Sequence, residues 1–250
     1  MVEKRSQMKL DMQSAKPTIL CTGPIEESAV NLPEYKDADI DVVPFTRIKF
    51  ELSETAEDQL TELLKKKDVV VFTSNNAVKS VATHLGNSQP DWKIFCIGNT
   101  TYTLAKKYFG EDRITQTAST AAELAEKIIA NTEVQEVIFF CGNLRRNDLP
   151  DAVRLKGVTV REITVYQTTL SPINLEKEYD AVLFFSPSAA ESFFSRNSLP
   201  VKTVLFVIGN TTAESIRKYS ANKIITGDEP DKNKLISKAI RFFTANALHP

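Results

Sequence analysis

The chain has 250 residues, 42% of them hydrophobic and 25% charged, and carries a formal net charge of −1 at pH 7. This composition is typical of a globular protein, and the near-zero charge argues against a basic field that would attract nucleic acid or an anionic membrane. No stretch approaches the roughly 20 apolar residues that cross a bilayer. We therefore expect a cytoplasmic protein without nucleic-acid or membrane partners, in which local donors bind any anionic ligand.

The N-terminal part of the chain predicts a lead-in followed by alternating strands and helices. Residues 1–15 mix charges with Met and lack the apolar segment of a secretory signal, so we predict a disordered lead-in. Residues 18–21 form a buried strand, and residues 39–50 form an extended stretch that Pro44 interrupts. A Pro-bearing extended segment this early indicates a crossing between domains. An amphipathic helix follows at residues 53–67.

The remaining elements alternate in the same way, and their apolar strands favour parallel pairing with helices on both faces. A capping box of Thr120 and Glu123 begins one helix, Gly157 ends another, and residues 158–168 form an extended stretch that we interpret as the return crossing. The other predicted elements are, in chain order, strands at 69–72, 93–97, 113–116, 137–141, 181–185, 204–208 and 223–226, and helices that begin near residues 149, 188, 211 and 231.

An internal repeat indicates two similar α/β units. The pentapeptide Ile-Gly-Asn-Thr-Thr occupies residues 97–101 and again residues 208–212, each time between an apolar strand and a helix. Residues 72–77 and 184–189 match each other at almost the same separation. Because two matched pairs are harder to obtain by chance than one, we predict an α/β fold with two doubly wound parallel-sheet domains joined by two extended linker segments.

The predicted strand pairing sets the domain boundaries. The strand that opens at Ala181 lacks a partner for its unit unless residues 19–21 supply it, so the N-terminal strand is expected to belong with the C-terminal domain. We therefore predict a discontinuous domain of residues 16–43 and 170–250, into which residues 48–164 are inserted as a second domain.

Four polar corners that follow strands form the candidate ligand site. In an open parallel sheet, ligands bind beyond the carboxyl ends of the strands, where helix N-termini attract anions. We expect the corners to line the two facing edges of an interdomain cleft and to hold a ligand with several negative groups. Alternatively the hydroxyls only cap helices, with capping boxes of Ser188 with Glu191 and Thr211 with Glu214. The candidates are Thr73, Ser74, Asn75, Gly98, Asn99, Thr101, Ser186, Pro187, Ser188, Gly209, Thr211 and Thr212.

Three further candidates for the ligand site, Gly142, Arg145 and Tyr166, lie outside these corners. Arg145 follows Gly142 and, with the next arginine, forms a candidate anion fork, for which solvent exposure is the alternative. Tyr166 is the phenol at the predicted hinge. As a weak acid with a pKa of about 10 it can donate a proton to a departing hydroxyl or hold a ligand, and ordinary strand packing is the alternative.

We expect neither a metal nor an organic cofactor. The three cysteines lie singly in apolar runs, and neither His84 nor His249 has a ligand pattern around it. Structural cysteines are therefore favoured over a disulfide framework, a redox pair or a zinc site. The sequence has no glycine-rich dinucleotide motif, no Walker lysine and no Ser-His-Asp set, so the cofactor and hydrolase templates fail.

Six motifs occur along the chain in a characteristic order: residues 72–78, 97–101, 142–146 with Leu149 and Gly157, 165–168, 185–188 and 208–212. In this order they resemble the uroporphyrinogen-III synthase family over residues 18–240. The resemblance implies a bilobed α/β protein that acts without metal or organic cofactor. Its substrate would be linear hydroxymethylbilane, which carries eight carboxylates and is closed to uroporphyrinogen III with inversion of ring D.

The resemblance also implies roles for single residues. By similarity, Tyr166 assists departure of the terminal hydroxyl, which gives an azafulvene-type cation and then a spiro intermediate by attack at the substituted carbon of ring D. Thr101, Ser186, Thr211 and Thr212 match family positions that line the cleft. Because the bilane closes spontaneously to the uninverted isomer I, the enzyme is expected chiefly to hold a conformation. We expect it to be a monomer.

Two other functions fit the same pattern of residues. A two-lobed binding protein for a phosphorylated or polycarboxylate small molecule would share every polar corner without catalysing a reaction. A regulatory domain fits less well, because the sequence has no acidic phospho-acceptor cluster. Formation of isomer III above the isomer I background discriminates the enzyme from the binding protein.

Overall fold

A computed structural model describes residues 16–25, 27–98 and 100–246 of the chain. The predicted lead-in at residues 1–15, the candidate Asn99 and His249 lie outside the described residues. The chain divides into two compact units, which we describe separately. Unit 1 contains the residues up to Arg47 together with those from Leu170 onward, and unit 2 is Ile48–Thr169.

Strands and helices alternate along most of the described chain, as predicted, but the strand Thr46–Lys49 directly follows the strand Asp39–Val42, and Ala181–Phe184 directly follows Thr159–Leu170. The strands are β1 (Thr18–Cys21), β2 (Asp39–Val42), β3 (Thr46–Lys49), β4 (Val69–Phe72), β5 (Lys93–Ile97), β6 (Ile114–Ala118), β7 (Glu136–Gly142), β8 (Thr159–Leu170), β9 (Ala181–Phe184), β10 (Val204–Val207) and β11 (Ile224–Thr226). The helices are α1 (Glu27–Val30), α2 (Glu54–Leu63), α3 (Asn75–Leu85), α4 (Thr100–Phe109), α5 (Ala121–Ala130), α6 (Asp148–Leu155), α7 (Pro187–Phe194), α8 (Asn210–Ile216) and α9 (Lys232–Asn246), with short 3₁₀ turns at Pro33–Asp37 and Glu111–Arg113.

Unit 1 is built on a five-stranded sheet in the order β11-β10-β9-β1-β2, whose pairs are parallel. Ile19 of β1 pairs with Ala181 of β9, so the N-terminal strand lies in one sheet with strands from the C-terminal part of the chain. Successive β1 side chains point to opposite faces. Ile19 packs in the cluster that contains α9, and Leu20 packs in the cluster that contains α7 and α8. The central strands are apolar because helices cover both of their faces.

Unit 2 repeats this plan with a six-stranded sheet in the order β3-β8-β7-β4-β5-β6. The pairs β7–β8, β4–β7, β4–β5 and β5–β6 are parallel. Val70 and Phe72 of β4 pack in the cluster that contains α2, α3 and α4, whereas Val71 packs in the cluster that contains α5 and α6. The predicted α/β fold is confirmed, with two sheets that are predominantly parallel and have helices on both faces.

The chain passes from one sheet to the other at Pro44. The stretch predicted at residues 39–50 is two strands, with β2 in the five-stranded sheet and β3 in the six-stranded sheet. Phe45 is fully buried in unit 1 and meets the ring of Phe193 edge-on at 5.1 Å. Its carbonyl accepts a hydrogen bond from the Ser171 amide, 2.9 Å away, so the outgoing and returning segments are joined at this point.

The helix predicted at residues 53–67 is shorter than expected, because α2 ends at Leu63. Its N-cap is Ser53, whose Oγ accepts a hydrogen bond from the Ala56 amide at 3.2 Å. The N-cap predicted for α5 is confirmed, because Thr120 Oγ1 accepts from the Glu123 amide at 3.2 Å. The Glu123 carboxylate accepts from the amide of Ser119, one residue before the N-cap, so the second half of the predicted capping box differs.

Candidate active site

The carboxyl ends of β4 and β5 bring the first two polar corners together. The strands are parallel neighbours, so the residues that follow them lie at the same edge of the unit 2 sheet. Thr73 and Ser74 follow β4, and Ser74 Oγ caps α3 by accepting a hydrogen bond from the Asn76 amide at 3.1 Å. Thr101, which is only 5% exposed, donates to Asn75 Oδ1 at 2.8 Å. This side-chain hydrogen bond joins the two corners directly.

Tyr166 reaches the same edge from β8. Parallel pairing of β7 and β8 sets Gly142 opposite Tyr166, after a register shift between Cys141 and Gly142. The Tyr166 hydroxyl donates to Ser74 Oγ at 3.2 Å. Burial raises the pKa of the Tyr166 phenol, and the hydrogen bond with Ser74 opposes this shift only in part. The phenol is therefore protonated at neutral pH and can serve as a proton donor.

The Tyr166 ring packs against Gly142, in the space that a side chain at this position would fill. A methyl group at residue 142 would lie 2.4 Å from Cζ, 2.5 Å from Cε2 and 2.8 Å from Oη of Tyr166. Carbon atoms do not approach this closely, so any residue with a side chain at position 142 would displace the ring. The structure thus places this candidate ligand-binding glycine against the candidate acid.

Two candidates at the unit 2 edge are engaged within the protein. The Gly98 amide donates to the carbonyl of Ala118 at 2.7 Å, so this amide serves the sheet and is not the open anion donor that we expected. The Arg145 guanidinium donates through Nε to the Glu162 carboxylate, which also accepts from Arg154 Nη2 at 2.5 Å. The expected anion fork at Arg145 therefore has an internal carboxylate partner.

Glu162 is held in its charged form by these two arginines. Burial alone would raise the pKa of the Glu162 carboxyl, but the hydrogen bonds from Arg145 and Arg154 outweigh burial and bring the pKa below its ordinary value. The neighbouring Arg146 forms an ion pair with Asp148 at 2.5 Å. The arginines after β7 thus have carboxylate partners within unit 2.

In unit 1, the matching edge follows β9 and β10. Ser186 is the N-cap of α7, where its Oγ accepts from the Ala189 amide at 3.1 Å and lies 3.1 Å from Ser188 Oγ. Pro187 occupies the first turn of α7, a position at which its missing N–H costs nothing. Gly209 is the N-cap of α8, and its carbonyl accepts from the Thr212 amide at 3.1 Å.

The two capping boxes predicted in unit 1 are wrong. Ser188 and Thr211 lie inside α7 and α8, because both helices begin directly after the strand at an extended residue, Ser186 or Gly209. In both helices a glutamate three positions after a serine or threonine resembled a capping box, but the observed N-cap lies two positions earlier. Thr212 is buried and Thr211 is exposed at the start of α8.

Sequence reasoning missed Lys232 at the unit 1 edge. Lys232 Nζ donates to the Pro24 carbonyl at 2.6 Å and lies 4.9 Å from the centre of the Phe185 ring, and both neighbours follow the carboxyl ends of strands in this sheet. A lysine at the first position of a helix opposes the helix dipole. This unfavourable placement can be read from the sequence, and it indicates that the protein keeps a positive charge at this edge of the sheet.

The described residues do not form a metal centre or a membrane-spanning helix. Among them, groups of three or more His, Cys, Asp or Glu side chains suited to a metal ion are not found. Nor does any helix in the described ranges combine the length and apolarity needed to span a membrane. The cysteines are free and buried, at Cys21, Cys96 and Cys141.

Comparison with known proteins adds information on the family. Residues 27–237 match the family model described as uroporphyrinogen-III synthase HemD. A curated uroporphyrinogen-III synthase from Chlorobaculum parvum is 25% identical to this chain over 247 residues, an alignment that covers 90% of this chain and 99% of the relative.

Solved structures agree with the fold. A uroporphyrinogen-III synthetase from Helicobacter pylori superposes with a TM-score of 0.61 at 17% identity, covering 90% of this chain and 99% of that one. A mutant uroporphyrinogen III synthase from Thermus thermophilus superposes with a TM-score of 0.64 at 15% identity, covering 93% and 98%. At this identity the structures show a shared fold, and the family match extends over most of the sequence. The chain therefore belongs to the uroporphyrinogen-III synthase family.

Proposed function

We infer that the chain is a uroporphyrinogen-III synthase, a lyase of tetrapyrrole and haem biosynthesis. It closes hydroxymethylbilane to uroporphyrinogen III, with loss of water and inversion of ring D. The family match over residues 27–237 carries this inference. The relative from Chlorobaculum parvum supports it, because its alignment spans nearly the full length of both proteins.

The polar edges of the two units suit a substrate with many carboxylates. At each edge, helices begin directly beyond parallel strands, so partial positive charge from their N-termini collects there. Each anion contact of this kind is worth about 0.3–1 kcal/mol. The hydroxyl of Ser188 and the ammonium group of Lys232 add donors of the kind that carboxylates require. Thr101 and Thr212 are buried, and the Thr101 hydroxyl already donates to Asn75. We assign the other corner residues, apart from Gly98, to carboxylate binding, and the expectation that both edges share one cleft stays a prediction.

Tyr166 is the proton donor in this proposal. Its phenol gives a proton to the terminal hydroxyl of the bilane as the carbon–oxygen bond breaks, so that water leaves and an azafulvene-type cation forms. The substituted carbon of ring D then attacks this cation, and fragmentation and recombination of the spiro intermediate complete the inversion. The position of Tyr166 beside the polar corner of Ser74 supports its role as proton donor. Its phenol keeps its proton at neutral pH until the substrate is bound.

The direct test is incubation of the purified chain with enzymatically generated hydroxymethylbilane, followed by chromatographic separation of the isomers. The proposed activity predicts isomer III well above the uncatalysed background of isomer I. A binding protein would instead delay the appearance of isomer I and make no isomer III. This alternative is not favoured, because the family and the curated relative are synthases.

The proposal also includes a monomer that acts in the cytoplasm. Light scattering of the purified chain during size-exclusion chromatography tests the first part, with 27.9 kDa as the expected mass. A mass twice as large at working concentration would contradict a monomer.

A further inference from the structure

Three contacts fix Tyr166 within unit 2. The Val165 carbonyl accepts a hydrogen bond from Ser80 Oγ, and both residues are fully buried, so the main chain beside Tyr166 is held. Gly142 lies against the ring at a distance that no larger residue permits. The hydroxyl meets Ser74 Oγ at 3.2 Å. A phenol that merely filled a strand position would not need all three.

Ser74 Oγ is itself held in place. It caps α3 from an extended conformation, with φ −143° and ψ 136°, and accepts from the Asn76 amide at 3.1 Å. A serine hydroxyl has two acceptor sites and one proton. The Asn76 amide and the Tyr166 hydroxyl occupy the acceptor sites, so the proton of Ser74 remains for donation. The oxygen to which Tyr166 bonds therefore has a fixed position, and among the described residues its own proton has no other assigned acceptor.

During the reaction, Tyr166 and Ser74 can exchange the donor and acceptor roles in this hydrogen bond. When Tyr166 turns its proton toward the substrate, rotation of the Ser74 hydroxyl allows Ser74 to donate to Tyr166 Oη without movement of heavy atoms. A hydrogen bond to the charged form of an acid stabilises that form. The Asn76 amide still bonds to Ser74 Oγ, so the donor to the developing phenolate is oriented by the helix N-terminus.

The matched corner in unit 1 shows that capping alone does not demand this arrangement. Ser186 occupies the equivalent position after β9 and caps α7 in the same way. Where Ser74 Oγ meets the hydroxyl of Tyr166, Ser186 Oγ meets the hydroxyl of Ser188 at 3.1 Å. The contact with a phenol is a feature that distinguishes the unit 2 corner from its unit 1 counterpart.

We propose that Ser74 is a positioning residue for proton donation: it holds the Tyr166 hydroxyl and donates to Tyr166 Oη as the phenol protonates the departing hydroxyl, in place of the role in substrate binding first assigned to it. This inference rests on the proposed function. The O–H bond of Tyr166 breaks, the proton leaves in water, and the phenolate accepts from Ser74. The proton that the macrocycle later releases restores the phenol.

A double-mutant cycle tests this assignment. Ser74→Ala, Tyr166→Phe and the double variant are compared by their rates of isomer III formation after subtraction of the uncatalysed reaction. We expect Ser74→Ala to lower kcat about 10-fold with KM within about two-fold, and to have no further effect when Tyr166 is already Phe. Ser74→Thr, which keeps the hydroxyl, should retain most of the activity. An equal loss from Ser74→Ala in both backgrounds, or a raised KM alone, would overturn the proposal.

Ser53→Ala controls for loss of a helix cap. Ser53 caps α2 through the Ala56 amide at 3.2 Å, a contact like that of Ser74 with Asn76. Both alanine variants should lower the midpoint of urea unfolding to a similar extent. Only the variant at position 74 should change kcat, and an equal change from Ser53→Ala would show that the effect is one of stability.

Titration of the phenol supplies a readout that does not need substrate. The difference in ultraviolet absorbance between the chain and its Tyr166→Phe variant isolates ionisation of Tyr166, and the pKa so measured should rise when Ser74 becomes alanine. An unchanged pKa would contradict the donor role. If the unaltered chain forms no isomer III, the proposed function fails and this inference fails with it. An active chain whose Ser74→Ala variant is equally active overturns this inference alone.

Discussion

Replacement of Gly142 by alanine should displace Tyr166 and reduce catalysis. The added methyl would lie 2.4 Å from Tyr166 Cζ, whereas ordinary contacts of such a carbon begin at 3.4 Å. The ring must therefore move by about 1 Å, or the strand must shift by a similar amount. The hydrogen bond from Tyr166 to Ser74 is already 3.2 Å long, so a displacement of this size away from Ser74 takes it beyond hydrogen-bonding distance.

The size of the effect follows from this displacement. Misplacement of a reacting group by about 1 Å lowers a rate on the order of 10²-fold, and overpacking of a buried site costs about 1–3 kcal/mol of stability. We expect Gly142→Ala to reduce the rate of isomer III formation by about 10²-fold. We also expect it to lower the free energy of unfolding by about 1–3 kcal/mol. Isomer analysis and urea unfolding measure these two quantities.

Gly209→Ala is the matched control for stability. This glycine also follows a strand at a helix N-terminus, but it has an extended backbone, and a methyl group there would meet no atom within 4 Å. Its free energy of unfolding should change by less than about 1 kcal/mol. A Gly142→Ala variant with the turnover of the unaltered chain would refute the claim that ring position matters.

Three further predictions concern single side chains. Tyr166→Phe should lower the rate of isomer III formation about 10²-fold or more, since it removes the acid, and near-normal turnover would place proton donation elsewhere. Burial and a hydrogen bond to Asp41 raise the pKa of Tyr179 to about 12, so folding favours the neutral phenol. The contribution of Tyr179 to the free energy of unfolding is therefore complete below pH 10.0, the ordinary pKa of the phenol, and is lost as the pH rises to about 12. Urea unfolding over this range should show an alkaline decline that Tyr179→Phe reduces, and an identical decline in both proteins would contradict it. Finally, because burial raises the pKa of each thiol to about 11 or 12, native protein should react with a thiol reagent far more slowly than denatured protein; fast native labelling would contradict this for Cys21, Cys96 and Cys141.

The fold was predictable because its signals are local and repeated. Uniformly apolar strands such as Val69–Phe72 indicate a sheet covered on both faces, and Pro44 marks the break between strands of different sheets. The need of β9 for a neighbour predicted its pairing with β1. These inferences require only the pattern of apolar residues, a proline that interrupts a strand, and the pairing rules of parallel sheets.

The site was less predictable because its contacts depend on register and distant pairing. The Gly98 amide is used by Ala118, beside a strand pair whose register shifts between Ile94 and Phe95. Arg145 meets Glu162 only because β8 lies beside β7. Ser74 and Tyr166 are 92 positions apart, a contact that local sequence patterns do not contain.

The most direct test of the central claim is the ratio of isomer III to isomer I as the amount of the purified chain is increased at fixed hydroxymethylbilane. A synthase competes with spontaneous closure, so the share of isomer III should climb in proportion to protein and then approach completeness. A product that remains isomer I at every protein concentration would contradict the assignment.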